Sequence, residues 1–193
     1  MQYNKYFLNQ AVKTIRNIDS NKIEAIVKIL IKVRKKGRLF IIGVGGSAGN
    51  ASHAVNDFRK LCNIDTYTPI DNVSEVTART NDEGWETIFS EWLKVSRVSQ
   101  NDALMIFSVG GGNKLKKVSV NIINAINYAK SKRLKIISIV GNNNGYAYKN
   151  SDVSIANKPD DIRLITPISE ALQPMVWHLL VSHPKLQENK TKW

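Results

Sequence analysis

Three short apolar runs, each halted by glycine, do most to restrict the folds open to this chain. Arg38 to Ile42 runs into Gly43, Asp102 to Ser108 (DALMIFS) into Val109 and the triplet Gly110 to Gly112, and Leu134 to Val140 (LKIISIV) into Gly141. Runs of five to seven apolar residues are too short for buried helices and suit strands covered on both faces. Helix-length segments lie between them: Ser47 to Cys62, and one running from the glycine triplet to about Lys132. Strands alternating with helices imply parallel β-α-β units with helices on both sides of one sheet. Asp152 to Ala156 (DVSIA) reads as a weaker fifth strand, and Thr66 to Ile70 (TYTPI) as another, weakened by Pro69.

The remaining helices follow from apolar spacing. Phe7, Leu8, Val12, Ile15 and Ile18 recur at three and four within residues 3 to 18, and Ile23, Ile26, Val27, Leu30, Ile31 and Val33 do so from about Asn21 to Lys36. Asp19 and Ser20 are capping residues between the two, and Gly37 stops the second. Short helices are expected over Ser74 to Arg79 and Glu86 to Ser96, and a final one over Ile168 to Val181. The whole chain, 1–193, reads as one domain: residues 1–36 form two helices that pack on the sheet or against another subunit, and residues 37–193 form the sheet core.

Composition narrows the function classes. No stretch reaches the 18 or so apolar residues of a membrane span, and the N-terminus lacks the layout of a secretory signal, so a cytoplasmic protein without membrane partners is expected. The single cysteine, Cys62, excludes an intrachain disulfide and a multi-cysteine zinc site. The net charge of +12 reads first as a general abundance of lysine and second as steering of an anionic substrate; the basic residues are scattered without interleaved aromatics, which speaks against nucleic acid as a partner.

Two glycine loops, Gly43-Val44-Gly45-Gly46-Ser47 and Ser108 to Asn113, each join a strand to a helix. Ligands of parallel sheets sit at that edge. Such loops are either tight turns or phosphate cradles built from backbone N–H groups and a helix start. Neither carries the lysine of a P-loop or the spacing of a dinucleotide fingerprint, which excludes a nucleotide-binding oxidoreductase. His53 and Asp57 stand at i, i+4 and share a helix face, as an acid–base pair, two metal ligands or a plain surface pair. Glu170 and His178, eight apart, can look the same way from the final helix; His183, next to Pro184, reads as a terminal residue.

Taken together these segments resemble the phosphoheptose isomerases of the sugar isomerase (SIS) domain family. Gly43-Val44-Gly45-Gly46-Ser47 with His53 is similar to their GNGGSxxxxxH opening, and Thr77 to Gly84 with Phe89 and Ser90 to their TAxxND(x)G…F segment; the helix bearing Glu170 and His178 completes a match over nearly the whole chain. The resemblance implies a three-layer α/β/α sandwich around a five-stranded parallel, flavodoxin-like sheet. It also implies a homotetramer with sites between subunits, and isomerisation of sedoheptulose 7-phosphate to D-glycero-D-manno-heptose 7-phosphate through an enediol. By the same resemblance Asp57, His178 and Glu170 are the catalytic set, Asp57 standing where glutamate is usual and Glu170 where a glutamine ligand is usual. One zinc ion per site would be held by His53, Asp57, Glu170 and His178. Sugar phosphate would meet Gly45, Gly46, Ser47, Asn81, Asp82, Ser108, Gly110, Gly111 and Asn113. Val44 replaces a usual asparagine, and a run of hydroxyls is missing from the second loop, which leaves phosphate to backbone N–H groups and Lys114 or Lys116. The rival reading is a SIS module that binds phosphosugar, or a replication initiator protein, without turnover.

Overall fold

The computed structural model describes residues 2–191. Five strands form one parallel sheet: β1 (Leu39–Ile42), β2 (Thr66–Tyr67), β3 (Ala103–Ser108), β4 (Lys135–Val140) and β5 (Val153–Ala156), in the order β2-β1-β3-β4-β5. Eight α-helices are described: α1 (Tyr3–Arg16), α2 (Ser20–Lys36), α3 (Gly46–Cys62), α4 (Val73–Glu83), α5 (Ile88–Val95), α6 (Val120–Ser131), α7 (Tyr146–Asn150) and α8 (Ile165–Val181). The order is the flavodoxin-like one, and the chain reverses its direction of winding between β1 and β3. No helix among the described residues is long and apolar enough to cross a membrane.

The pleat sorts the apolar runs between two cores. Leu39, Ile41, Met105, Phe107, Ile137 and Ile139 face α2, α3 and α8, where Ile26, Val27, Phe58 and Trp177 are buried. Phe40, Ile42, Leu104, Ile106, Ile136 and Val140 face α5, α6 and α7. Both faces are covered, which is why the strands read as unbroken apolar runs rather than alternating ones. The second N-terminal helix is thus part of the sheet's own helical layer. The first packs Tyr6, Phe7, Ala11 and Ile15 against Leu164, Ile168 and Leu172 at the start of α8.

Several boundaries differ from those expected. The segment after the glycine triplet is not helical from its start: Asn113 and Val118 exchange backbone hydrogen bonds of 2.9 and 3.1 Å, and Lys117 and Ser119 take positive φ, so α6 begins only at Val120. β2 is two residues long because Pro69 opens a 3-10 turn. α4 outruns its expected span, capped by the Asn72 side chain, which accepts from the Glu75 N–H, and stopped by Gly84 at φ 88°. The five-residue α7 was not foreseen.

At the sheet edge remote from the glycine loops, Asp102 is buried and ties β1 to β3. Its carboxylate accepts from the Arg38 N–H at 2.8 Å, the Arg38 guanidinium at 3.0 Å and the Ser99 N–H at 2.7 Å. Removing it strands two amides and takes the counter-charge from a partly buried guanidinium, which keeps only the Ser96 and Arg97 carbonyls. Asp102→Ala should therefore cost about 3 kcal/mol, read as a lower urea midpoint at unchanged slope. Cys62 is enclosed where α3 ends, its Sγ 3.6 Å from the Val181 carbonyl, and burial pushes its thiol up to about 12. It should resist a thiol reagent at about pH 8 until the protein unfolds, then react in full.

Candidate active site

The glycine loop after β1 has tight local reasons for its composition. A Cβ at Gly43 would lie 2.3 Å from the Ser47 carbonyl oxygen, and Gly45 holds φ 66°. The turn lets α3 start directly at the strand's end. Val44 is partly buried and packs against the second core.

From that start α3 runs alongside α8, in the same direction: Gly46 meets Glu170, Asn50 meets Gln173, Asp57 meets Trp177, and Cys62 meets Val181. The pairing brings His53, Asp57 and His178 together, their ligand atoms all within 4.8 Å of one another. Asp57 Oδ2 lies 3.2 Å from His178 Nε2 and 3.6 Å from His53 Nε2, and accepts from the Trp177 indole N–H at 3.0 Å; Oδ1 accepts from the Asn56 amide at 3.0 Å. The Asp57 side chain is 12% exposed, whereas the two imidazoles are more than half exposed. A fixed carboxylate thus sits behind two accessible rings, on a cleft of about 740 Å³ bordered also by Met175, Leu179 and Ser182.

The donor set fits zinc. Two imidazole nitrogens and one carboxylate oxygen are a catalytic-type set that leaves one position open. Ligands about 2.1 Å from a tetrahedral ion lie about 3.4 Å apart, which the 3.2 and 3.6 Å separations bracket. The Trp177 and Asn56 donors orient the carboxylate as outer-shell partners do.

Glu170, expected as a fourth member, is not in this group. Its carboxylate lies over Gly46, where a Cβ would come within 2.6 Å of Oε2 and 2.9 Å of Oε1. Ser47 is buried, and its hydroxyl oxygen accepts from the Gln173 amide at 3.0 Å. In the second loop the Ser108 hydroxyl accepts from the Gly111 N–H at 3.0 Å, and Gly111 and Gly112 hold φ 71° and 84°. No atom would crowd a Cβ at Gly110. The Asn113 side chain accepts from the Lys116 N–H within its own loop, and Asn81 donates to Asp82 on α4, a helix with no buried residue. Lys114 extends over the Tyr146 ring, 4.9 Å from its centroid. Among the described residues, the buried polar side-chain atoms lacking a protein partner belong to Thr68, Asn121 and Asn157, all in segments that follow the carboxyl ends of strands. Thr68 and Asn157 follow β2 and β5, the two outermost strands, and Asn121 lies in the first turn of α6.

Sequence reasoning missed Asn50, Gln173 and Trp177. Each carried a signal: Gln173 is a polar residue on the apolar stripe of Leu172 and Val176, and Trp177 is the one aromatic of the last helix.

Comparison with known proteins places this geometry. The SIS domain model matches residues 2–141. A phosphoheptose isomerase from Buchnera aphidicola subsp. Schizaphis graminum is 34% identical over 158 residues, covering 77% of this chain and 78% of that protein. Among solved structures, phosphoheptose isomerase GmhA from Neisseria gonorrhoeae superposes with a TM-score of 0.78 at 18% identity, covering 93% of both chains. A phosphoheptose isomerase from Francisella tularensis does so with 0.77 at 19% identity, over 93% of this chain and 92% of the other. With the parallel sheet, the two glycine loops and the His53–Asp57–His178 group in place, the chain belongs to the SIS-domain proteins, in the phosphoheptose isomerase family.

Proposed function

We propose that the protein interconverts sedoheptulose 7-phosphate and D-glycero-D-manno-heptose 7-phosphate through an enediol, with His53, Asp57 and His178 as its proton-transfer and metal-binding group. The convergence of these three side chains from α3 and α8 carries the reading; membership of an isomerase family supports the substrate.

The reaction moves one proton between carbons and one between oxygens. From the ketose, a base takes a proton from C1 while a donor protonates the C2 oxygen, giving the enediol. The C1 hydroxyl then gives up its proton and C2 receives one, giving the aldose. Asp57 is the base: Oδ2 is occupied by the two histidines and Trp177, so Oδ1, which bears the Asn56 amide, is the oxygen that handles the carbon proton. His178, half exposed on the cleft side, exchanges protons with the sugar oxygens. Where zinc is held by His53, Asp57 and His178, it would take the donor's place by polarising the carbonyl oxygen, and His178 would then act as a ligand rather than as the acid. Glu170, eight residues from His178, is displaced by about 12 Å along the helix, and serves the substrate elsewhere.

A homotetramer with sites shared between subunits belongs to the same proposal. In one chain Gly46 and the histidine–aspartate group are separated by seven to eleven residues of α3, roughly 10 to 16 Å. A heptose phosphate spans roughly 10 Å at bond lengths near 1.5 Å. The two features also lie along a helix pair rather than facing across a crevice, so a second copy supplies the opposing wall. Exposed Met175 and Leu179 flank the group. The same reading assigns sugar contacts to Asn81 and Asp82, phosphate to Ser108, Gly110, Gly111 and Asn113, and the turn Gly45-Gly46-Ser47 to the sugar chain. A cytoplasmic location fits a sugar phosphate substrate.

A coupled assay with purified protein should show turnover of sedoheptulose 7-phosphate, and His178→Ala should lower kcat at least about a hundredfold without a change in fold. No turnover, with or without added zinc, sinks the isomerase reading. Calorimetric titration should give one zinc per chain. Trp177→Phe, which keeps the ring but removes the donor to Asp57, should weaken that binding by about tenfold and destabilise the fold by about 1 to 2 kcal/mol.

A further inference from the structure

The carboxylate of Glu170 lies against Gly46, in the first turn of α3. Gly46 and Ser47 open the 17-residue α3, whose first amides lack helical acceptors and carry the positive end of its dipole. α3 has no acid in its first turn and no side-chain cap of its own. Both oxygens of Glu170, from a different helix, fill the space above Gly46. The backbone that carries this side chain is held at several points. Pro174 has no N–H to give the Glu170 carbonyl four residues earlier, and the Asn50 amide of α3 takes its place at 3.0 Å. The same Asn50 nitrogen donates to Gln173 Oε1 at 2.8 Å, and Gln173, fully buried, donates to the Ser47 hydroxyl at 3.0 Å. The Glu170 backbone and its neighbour Gln173 are thus tied to the first two turns of α3.

We propose that Glu170 is the specificity-determining residue of the first glycine turn, a resident carboxylate that bars the phosphate end of the substrate from the start of α3. Phosphate is left to the second loop, where Gly110 is uncrowded, Gly111 and Gly112 hold positive φ and Lys114 follows. The first turn then receives the uncharged hydroxyls of the sugar, for which a carboxylate is a good acceptor. One glycine loop is therefore anion-refusing and the other anion-accepting, which fixes the direction in which the sugar phosphate lies. The inference rests on the sugar phosphate reading, but its test needs no turnover.

Backbone amide shifts of the labelled protein, titrated with inorganic phosphate, decide it. In the native protein the amides of Gly110 to Asn113 should respond, while those of Gly46 and Ser47 stay still. Glu170→Gln, of the same shape, should make Gly46 and Ser47 respond, with an affinity there at least about tenfold above that of the native protein. Glu170→Asp, which retains the charge, should behave as the native protein does. A response of Gly46 and Ser47 in the native protein overturns the proposal whatever the variants do, as does silence of the same amides in Glu170→Gln. If phosphate behaves as described but no ketose phosphate is turned over, the isomerase reading falls and the role of Glu170 stands.

Discussion

The site depends on α3 and α8 lying side by side and pointing the same way. Polar side chains hold the pair at two levels: Asn50, Gln173 and Ser47 near the sheet edge, and Asp57 with Trp177 further along. Between and beyond these levels the helices are apolar, with Ala51, Ala54, Phe58, Val176 and Leu180 buried in one core. Small residues on α3 allow the close approach, and close approach is what lets a carboxylate on one helix meet an indole and an imidazole on the other. A buried polar group is worth keeping only when its partners are complete. Gln173 and Asp57 meet that condition only if the helix register is the one observed. A slip of one residue would leave both unpaired, so the same bonds that build the site also select its geometry.

Pro174 shows how a local defect becomes a structural contact. A proline inside a helix leaves a carbonyl without its donor, a cost of the order of 3 kcal/mol in an isolated helix. Here the freed Glu170 carbonyl is met by an amide from the neighbouring helix. The defect is offset only when α3 is docked, so it favours the docked arrangement over a free α8. It also brings an interhelical bond to the residue whose side chain reaches the glycine turn.

Much of the fold could be read from the residues, and the reasons are physical. Strands covered on both faces must be apolar throughout, so β1, β3 and β4 announced themselves, and glycine marked where each chain segment turned. The segment from Asn113 to Ser119 was misread as helix because Lys, Leu and Val keep a helical spacing; the Asx turn at Asn113 and the positive φ at Ser119 leave little trace in that pattern. At the site, the i, i+4 spacing of His53 and Asp57 needed only a helix to bring them together. His178 needed the register of two distant helices, which residue types alone do not carry but the family pattern did. Glu170 shows the limit of spacing arguments. Its separation from His178 suits a shared helix face, yet eight residues of rise place it at the opposite end of the clasp.

The distribution of charge explains why two similar loops need not do the same work. Both glycine loops follow strands at one edge of the sheet, both free their backbone to approach a ligand, and each leads toward a helix. Equal loops would bind a doubly charged phosphate in either of two orientations, and only one orientation places C1 and C2 before a base. A carboxylate at one loop and a lysine beside the other remove that degeneracy through like-charge repulsion as much as through attraction, the repulsive half of specificity. The chain achieves this without the hydroxyls that its second loop lacks. Its positive charge is spread widely over the surface, whereas the negative charge at the first turn is a single side chain, carried on a backbone that Asn50 ties to α3 and lying against a glycine that leaves room for it.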